Sequence, residues 1–250
     1  MGSITLTAVE GIPMVKEGDD LAALLAAGLE KTGIKLAARD ILVVCQKIVS
    51  KSEGRVVDLN GIRPSAFADA LARKWEKDPR AVELVLRQTN RIVRNDHGVI
   101  IVETGPGWVC ANAGVDESNS LEDDRAILLP VDPDASAGRI RAGIRARYGV
   151  DIAIVITDTF GRPWRDGLTE ICLGISGMNP MLDLRGSTDL GGRELQHTVV
   201  AIADELAAAA GLLMEKSSAI PAVHVRGYAY EPFEGSAKVL IRPAEADLFR

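Results

Sequence analysis

Continuous apolar runs along the chain predict strands that are buried on both faces. The run 150–157, VDIAIVIT, is almost entirely apolar, which is typical of a strand inside a sheet. The stretch Asp40–Ser50 begins in the same way and is predicted to run from a buried strand into a loop that carries Lys47, Lys51 and Gly54. Further strands are predicted at residues 91–104 (a hairpin that turns at 95–98), 107–114, 221–228 and 236–243.

Amphipathic stretches between these strands predict five helices. Asp19 or Asp20 can cap the first helix, and Gly33 and Gly149 stand where the first and the fourth should end. A proline at the start of the second and the third helix suits a first helical turn. The predicted helices cover residues 21–33, 64–77, 78–89, 132–149 and 191–213, and the last of them is the longest.

These elements favour an α+β fold of mixed sheets flanked by helices. Strands and helices mix along the chain without the steady alternation of a doubly wound parallel sheet. A length of 250 residues is compatible with a single domain over residues 1–250 and also with a two-lobed chain.

The composition is that of a globular protein rather than of a nucleic-acid binder or a membrane protein. Of 250 residues, 47% are apolar and 26% are charged, and the net charge of −6 argues against a basic surface for DNA or RNA. No apolar stretch reaches the roughly 20 residues of a membrane span, and the N-terminus does not resemble a signal peptide. Three widely spaced cysteines argue against a disulfide framework, so we expect a cytoplasmic location.

Two polar stretches that follow predicted strands carry the candidate chemistry. NAGVDESN supplies Asp116 and Asn119, and DTFGRPWR supplies Asp158 and Thr159. Carboxylate, hydroxyl and amide oxygens suit Mg²⁺ or Mn²⁺, and such an ion usually completes its shell with phosphate oxygens. Motifs for a P-loop, a zinc site or a nucleophile elbow are missing from the sequence. Basic residues that can neutralise phosphate stand on comparable stretches: Lys47, Lys51, Arg162 and Arg165.

Each of these residues also has a purely structural interpretation. Asp116 and Asn119 are common turn formers, and Asp158 after a strand can cap a helix. Lys51 fits a solvated loop, and Trp164 fits packing at the surface. The three cysteines are predicted to be small core residues rather than nucleophiles. Together the polar stretches predict a site for phosphate and a divalent metal.

Six stretches spread over nearly the whole chain read GIPMVKEGDDLA, QKIVSKSEGRVV, CANAGVDESN, DTFGRPWRDG, IPAVHVRGY and RPAEADLF. Together they resemble the coenzyme F420:L-glutamate ligases, also called F420-0 gamma-glutamyl ligases. The resemblance implies a GTP-dependent ligase of coenzyme F420 biosynthesis that joins L-glutamate to the lactyl carboxylate of the deazaflavin F420-0 through an acyl phosphate. A second, gamma-linked glutamate is then added.

The resemblance also implies Mn²⁺ or Mg²⁺, K⁺, and a homodimer with an unusual α+β fold. Some bacterial relatives carry a further nitroreductase-like domain that binds flavin mononucleotide, which we do not expect in this chain. The partners implied are small molecules only: GTP, L-glutamate and the deazaflavin.

The same resemblance assigns roles to single residues. The catalytic positions are matched by Lys51, Asp116 and Asp158. The metal ligands are matched by Asp116, Asp158, Thr159 and Glu215. Arg162 and Arg165 would face phosphate or a substrate carboxylate. The nucleotide contacts are matched by Ile12, Pro13, Met14, Val15, Gln46, Lys47, Lys51, Asn119, Leu212, Leu213, Met214, Glu215, Lys216, Ser217, Ser218 and Ala219.

Two other functions remain open from the residues alone. The same two aspartates would serve a metal-dependent phosphohydrolase in which water is the acceptor. A nucleotide-binding regulator without turnover would also use the phosphate-binding residues. Phosphate release that requires both glutamate and a deazaflavin distinguishes the ligase from both alternatives.

Overall fold

The computed structural model describes residues 2–117, 124–215 and 218–247 and confirms the α+β class. Its strands are β1 (Thr5–Ala8), β2 (Ile41–Cys45), β3 (Val56–Asp58), β4 (Thr89–Asp96), β5 (Val99–Thr104), β6 (Val109–Ala111), β7 (Arg125–Ile127), β8 (Ala153–Arg162), β9 (Arg165–Met178), β10 (Leu182–Asp183), β11 (Val199–Val200), β12 (Ala222–Arg226) and β13 (Pro232–Phe233). Its helices are α1 (Leu21–Lys31), α2 (Gln46–Ser52), α3 (Ala66–Trp75), α4 (Pro79–Arg87), α5 (Pro133–Tyr148) and α6 (Ile202–Gly211).

The central sheet has six strands in the order β1-β12-β2-β8-β9-β13, and helices cover both of its faces. Its neighbouring strands are antiparallel except for β2 and β8, which run in parallel. Alternate residues of β2 point to opposite faces, so Leu42 and Val44 pack with α1 and α5, whereas Ile41 and Val43 pack with α6. Burial of each such side chain contributes about 1.5–3 kcal/mol. This two-sided burial explains the continuous apolar runs of the sequence.

A smaller part of the structure is built around β4, β5 and β6, which form a three-stranded sheet. Its core joins α3 and α4 to the buried side of β5, where Ile100 and Val102 alternate with more exposed residues. The predicted hairpin is confirmed, because β4 and β5 turn at His97 and Gly98, both of which have a positive φ. Strands β3 and β7 pair beside it over a further small core.

Local capping signals correctly predicted the ends of α1 and α5. The Asp20 carboxylate accepts the backbone N–H of Ala23, and Gly33 follows the last turn of α1 with φ 76°. Gly149 ends α5 with φ 65°. None of the helices in the described ranges combines the length and the apolar character needed to cross a bilayer.

The prediction for the second helix was wrong in one detail. Ser65 is the residue that caps α3, so Pro64 lies before the helix instead of in its first turn. Pro79 does occupy the first turn of α4 as predicted.

The helix predicted over residues 191–213 is much shorter than expected. Val199 and Val200 form β11, and α6 begins only at Ile202. The longest helix is α5, with 16 residues. The glycines and β-branched residues ahead of Ile202 are weak helix formers, which explains why the helix starts late.

The strand predicted over residues 236–243 was also wrong. A short 3-10 helix, Ala237–Leu240, stands there instead. The Asp134 carboxylate accepts both the Ser236 hydroxyl at 2.6 Å and the Ala237 N–H at 3.0 Å. These long-range hydrogen bonds fix a turn that the apolar pattern does not show.

Candidate active site

Strand β2 ends beside the middle of β8 at one edge of the central sheet, where Cys45 stands opposite Thr157. After Cys45 the chain enters α2 at once, so the loop predicted to carry Lys47 and Lys51 is a helix. The two lysines are four residues apart and therefore share one face of that helix. The apolar residues Ile48 and Val49 extend the apolar pattern of β2 in the sequence. Both lie in α2 instead, where they pack against the core.

The stretch after Thr157 also differs from the prediction. We expected DTFGRPWR to be a loop, but residues up to Arg162 continue β8, and β9 begins at Arg165. The two strands form a hairpin that projects beyond the sheet, with Trp164 in the turn at φ 59° and 77% exposed. Trp164 is therefore largely exposed to solvent within this chain.

Asp116 reaches this edge from another direction. Three successive residues with positive φ, from Asn112 to Gly114, turn the chain after β6. A Cβ at Gly114 would lie 2.7 Å from Leu129, so the turn requires glycine there. Asp116 then pairs with Ile127 through two backbone hydrogen bonds of 3.0 and 2.8 Å. Left-handed residues of this kind concentrate at functional sites.

Asp116 forms an ion pair with Lys47, whose Nζ atom lies 2.6 Å from its Oδ2 atom. Both side chains are largely withdrawn from solvent, so the pair is stronger than one on the surface. Burial lowers the pKa of Lys51, and the charge of Lys47 lowers it further, against the raising effect of Cys45 and Asp116. The structure thus brings both predicted lysines and Asp116 into one electrostatic unit.

Asp158 lies in a region of negative charge. Burial raises the pKa of its carboxyl to about 7, and the charges of Glu170 and Asp116 raise it too, against a backbone hydrogen bond from Thr159 and the charge of Lys47. Binding and catalytic sites commonly contain a carboxyl group whose ionised form is disfavoured by burial and by neighbouring negative charges.

Glu170 is a member of this site that the sequence did not reveal. Its carboxylate accepts the Thr157 hydroxyl at 2.6 Å and the Thr159 hydroxyl at 2.5 Å. The two threonines are two residues apart in β8 and share one face, and Glu170 stands opposite Thr159 in β9. Since each hydroxyl proton points to Glu170, the oxygen lone pairs stay available to a cation.

Gln46 begins α2 and is completely buried. Its Oε1 atom accepts the Ser50 hydroxyl at 2.8 Å. Its Nε2 atom has no hydrogen-bond partner in the part of the chain that the structure describes. An unsatisfied buried amide costs free energy unless a ligand accepts its hydrogen bond.

The loop after α6 reaches the same edge. A Cβ at Gly211, the last residue of α6, would lie 2.7 Å from the Cγ atom of Glu170. Ten residues later the Pro221 carbonyl accepts the Cys45 N–H at 2.8 Å. Within the predicted stretch, Leu213 and Met214 pack on the core, whereas Leu212 and Glu215 are exposed.

The remaining residues that were predicted to contact the nucleotide are linked less directly to this edge of the sheet. Ser218 donates its backbone N–H to the Glu215 carbonyl, and Ala219 has a φ of 55°. The segment that holds Ile12, Pro13, Met14 and Val15 precedes α1, and Val15 belongs to the same buried cluster as Ile48 and Val49 of α2. Residues predicted for the nucleotide that lie outside the described ranges are Asn119, Lys216 and Ser217.

The cysteines near the site are not nucleophiles. Burial raises the pKa of the Cys45 and Cys110 thiols to about 12, and the charge of Asp158 raises both further. Cys172 is buried beside them in β9 with a pKa that burial raises as well. The prediction that the cysteines are core residues is confirmed for Cys110 and Cys172, and Cys45 is partly buried.

The donor set fits a hard divalent cation only together with ligands from outside the protein. Across the described ranges, no three His, Cys, Asp or Glu side chains stand close enough to hold one metal ion. Asp116, Asp158 and the threonine hydroxyls supply oxygen atoms of the kind that Mg²⁺ and Mn²⁺ prefer, and such ions commonly take the rest from phosphate and water.

Comparison with known proteins confirms the resemblance of the sequence stretches. A family profile described as F420-0:Gamma-glutamyl ligase matches residues 11–227. The chain is 44% identical over 250 residues to the Coenzyme F420:L-glutamate ligase of Methanothermobacter thermautotrophicus, and the aligned region covers 99% of both chains. It is 44% identical over 258 residues to the protein of that name from Methanopyrus kandleri, over the full length of both. For the protein of that name from Archaeoglobus fulgidus the identity is 41% over 243 residues, or 97% and 94% of the two chains.

Proposed function

Because the chain belongs to the F420-0:gamma-glutamyl ligase family, we propose that it joins L-glutamate to the carboxylate of coenzyme F420-0 at the expense of GTP. One observation carries the proposal: the Lys47–Asp116 ion pair, Asp158 and the Glu170-bound threonines converge where β2 ends beside β8. A site of lysines, carboxylates and hydroxyls is suited to a phosphorylated substrate.

The reaction proceeds in two balanced steps. A carboxylate oxygen of the acceptor attacks the γ-phosphorus of GTP, the bond to the bridging oxygen breaks, and an acyl phosphate and GDP result. The glutamate amine then attacks the acyl carbon, and the bond between that carbon and the phosphate oxygen breaks. Phosphate leaves with the electron pair, and the nitrogen loses a proton as the amide forms. Addition of a second glutamate repeats these steps on the γ-carboxylate of the first.

The residues of the site act by position and charge. Lys47 and Lys51 face the nucleotide phosphates, and the unpaired Nε2 atom of Gln46 donates to an oxygen of the ligand. Asp116, Asp158 and Thr159 would hold a divalent ion, which supplies charge neutralisation at the phosphate oxygens when bound. None of these roles needs a covalent bond to the protein, which agrees with the high pKa of the buried thiols.

Mass spectrometry of the products tests the proposal directly. The chain is incubated with F420-0, GTP, L-glutamate and Mn²⁺ or Mg²⁺, and each substrate is omitted in turn. We expect glutamylated deazaflavin, and phosphate release that requires both glutamate and the deazaflavin. Phosphate release without glutamate would identify a phosphohydrolase instead, and tight GTP binding without release would identify a regulator.

Isotope labelling tests the acyl phosphate. With ¹⁸O in the reacting carboxylate of the acceptor, one labelled oxygen must appear in the released phosphate. Unlabelled phosphate, or a phosphorylated protein trapped when glutamate is withheld, would exclude this route even if the product forms.

The proposal includes a requirement for K⁺ and a homodimer. Replacement of K⁺ by Na⁺ should slow the reaction. Sedimentation equilibrium should give twice the mass of the chain, and a monomer of full activity would refute the dimer as a requirement.

A further inference from the structure

A cavity of about 330 Å³ lies next to the candidate active site and has no part in the chemistry proposed for it. Leu129 lines the cavity and follows by two residues Ile127, which pairs with Asp116. Two residues span at most about 7 Å and paired residues lie roughly 5 Å apart, so the cavity begins within about 12 Å of Asp116. Arg55, on another wall, follows Lys51 by four residues.

The charged side chains that line this cavity are arginines, one of which is also paired with a carboxylate outside the lining. Among the described residues that line it, the charged ones are Arg55 and Arg87. Arg55 donates from Nε to the Leu129 carbonyl at 3.0 Å and from Nη2 to the Gln88 amide oxygen at 3.3 Å. Arg87 donates from Nε to Glu83 at 3.0 Å. These contacts orient both guanidinium groups and leave further N–H donors for a ligand, because each group has five.

Thr104 gives a second, independent indication of a ligand. It lines the cavity and is only 4% exposed, and its hydroxyl has no hydrogen-bond partner within the described ranges. Its backbone is satisfied, since its N–H donates to Trp108 and its carbonyl accepts from Gly107. A buried hydroxyl without a partner is uncommon in proteins and marks a place where a ligand atom or water completes the bonding.

The rest of the lining is mostly apolar. Trp108 and Leu129 form walls together with prolines, so the cavity offers cationic donors at separate points along an apolar surface. That chemistry suits a small molecule with two carboxylates joined by a short aliphatic chain. A nucleotide phosphate fits less well, because Lys47 and Lys51 are not among the described residues that line this cavity.

We propose that this cavity binds the free L-glutamate substrate, with its carboxylates on Arg55 and Arg87 and a hydrogen bond from the Thr104 hydroxyl. The inference rests on the proposed function. It identifies residues for the amino acid, whereas the site where β2 ends beside β8 serves phosphate and the acceptor carboxylate. The position of the cavity close to Asp116 lets the amine reach the acyl phosphate.

Thr104→Val and Arg87→Gln test the assignment. Valine has the shape of threonine, and the hydroxyl is unpaired in the protein itself, so the melting temperature should stay the same or rise. Calorimetric titration of L-glutamate in the presence of GDP should show at least about tenfold weaker binding for each variant. L-Glutamine, which lacks one carboxylate, should bind the wild-type protein at least about tenfold more weakly than L-glutamate.

Arg91→Gln is the matched control, because Arg91 pairs with Glu103 on the surface of β4, away from the cavity lining. Its affinity for glutamate should equal that of the wild type. In steady-state assays Thr104→Val should raise the KM for glutamate and leave the KM for GTP unchanged.

Three outcomes would overturn the assignment: no binding of glutamate to the wild type, unchanged affinity in both folded variants, or a loss of affinity for the deazaflavin instead of glutamate. The calorimetric readout does not require turnover. Glutamate binding that depends on Thr104 without any glutamylated product would refute the proposed function alone, whereas product formation with unchanged glutamate affinity would refute the cavity alone.

Discussion

Asp40 and Asp158 are carboxylates at opposite ends of the segment over which β2 and β8 pair in parallel, and their surroundings differ in kind. Asp40 immediately precedes β2 and is 2% exposed. Asp158 lies in the middle of β8 and directly follows Thr157, which pairs with Cys45. Both leave water on folding, so both need compensation from their neighbours.

The fold itself compensates Asp40. Arg226 donates to both of its carboxylate oxygens at 2.8 and 2.6 Å, the Ala37 N–H donates at 2.8 Å, and the His224 Nε2 atom lies 2.9 Å away. Burial alone would raise the pKa of Asp40, but Arg226, Ala37 and His224 outweigh it and the pKa is lowered.

Asp158 shows the opposite balance, since its pKa rises to about 7 through burial and through the charges of Glu170 and Asp116. A carboxylate whose partners complete its bonding holds the fold together. One whose ionised form is disfavoured by burial and by neighbouring carboxylates is suited to bind a cation. The comparison therefore distinguishes a structural aspartate from the one that we propose as a metal ligand, without reference to sequence motifs.

The largest effect is expected from removal of the functional carboxylates. Asp158→Asn and Asp116→Asn should each lower the rate of glutamylation by about a thousandfold, because a lost carboxylate weakens a hard-cation site. The melting temperature of Asp158→Asn should not fall, since the change relieves negative charge. Rates at saturating GTP and thermal unfolding by circular dichroism measure both quantities.

Asp166→Asn is the control for this pair, because Asp166 is an exposed aspartate of the same hairpin. It should keep the wild-type rate. Near-normal turnover of Asp158→Asn at limiting metal would contradict the distinction between the two kinds of aspartate.

Asp40→Asn should have the converse effect. It should lower the free energy of unfolding by about 3 kcal/mol, since Arg226 loses its charged partner at a buried site. The folded fraction should keep its activity. Urea unfolding measures the loss. Asp151→Asn removes a carboxylate that is 40% exposed, and Arg141 keeps Glu234 as a partner, so this change should cost no more than about 1 kcal/mol.

The pH dependence follows from the direction of the pKa shift. A carboxyl with a lowered pKa in the folded state contributes its stability above the unfolded value, here 3.8, and loses it as the pH falls through that range. The difference between wild type and Asp40→Asn should hence be constant from pH 7 to pH 5 and shrink below about pH 4. A difference that does not shrink at all as the pH falls below about 4 would show that packing, and not charge, makes Asp40 important.

Lys51→Ala tests the proposed contact between Lys51 and the phosphates of GTP. It should raise the KM for GTP at least about tenfold and change the KM for glutamate little, because a charged hydrogen bond to phosphate is lost. Lys238→Ala, at an exposed lysine in the 3-10 helix Ala237–Leu240, serves as the control. An unchanged KM and rate with GTP would remove Lys51 from the nucleotide site.

The smallest effect is expected from Glu170→Gln. Glutamine keeps the size of the side chain but offers the Thr157 and Thr159 hydroxyls a neutral acceptor, so kcat should fall about fivefold with little change in KM. Glu194→Gln, at an exposed glutamate, should leave both unchanged. A loss of stability without a change in kcat would mean that Glu170 only supports the hairpin.

Buried strands and helix ends could be predicted from the sequence, because they depend on residues that are close together in the chain. The apolar runs of β2 and β8 are visible because both faces of these strands are buried, and Asp20 and Gly149 mark helix ends because capping is local. The resemblance of whole stretches identified the family. It also predicted Asp116 and Asp158 as members of its site, since those residues stand inside long, unusual motifs.

The helix after β2, the register of the hairpin and the pKa values of the aspartates depend on contacts between distant residues and could not be predicted in this way. Gln46–Ser52 became a helix because its apolar residues meet the core at helical spacing, and residues 158–162 stayed in a strand because β9 pairs with them. Counting back from the turn would place Leu168 opposite Thr159, but an irregularity between Gly161 and Arg162 shifts the register and puts Glu170 there. The different pKa values of Asp40 and Asp158 likewise depend on tertiary structure. Burial raises both, but the hydrogen-bond partners of Asp40, Arg226 among them, outweigh it there, whereas Glu170 and Asp116 add to it at Asp158.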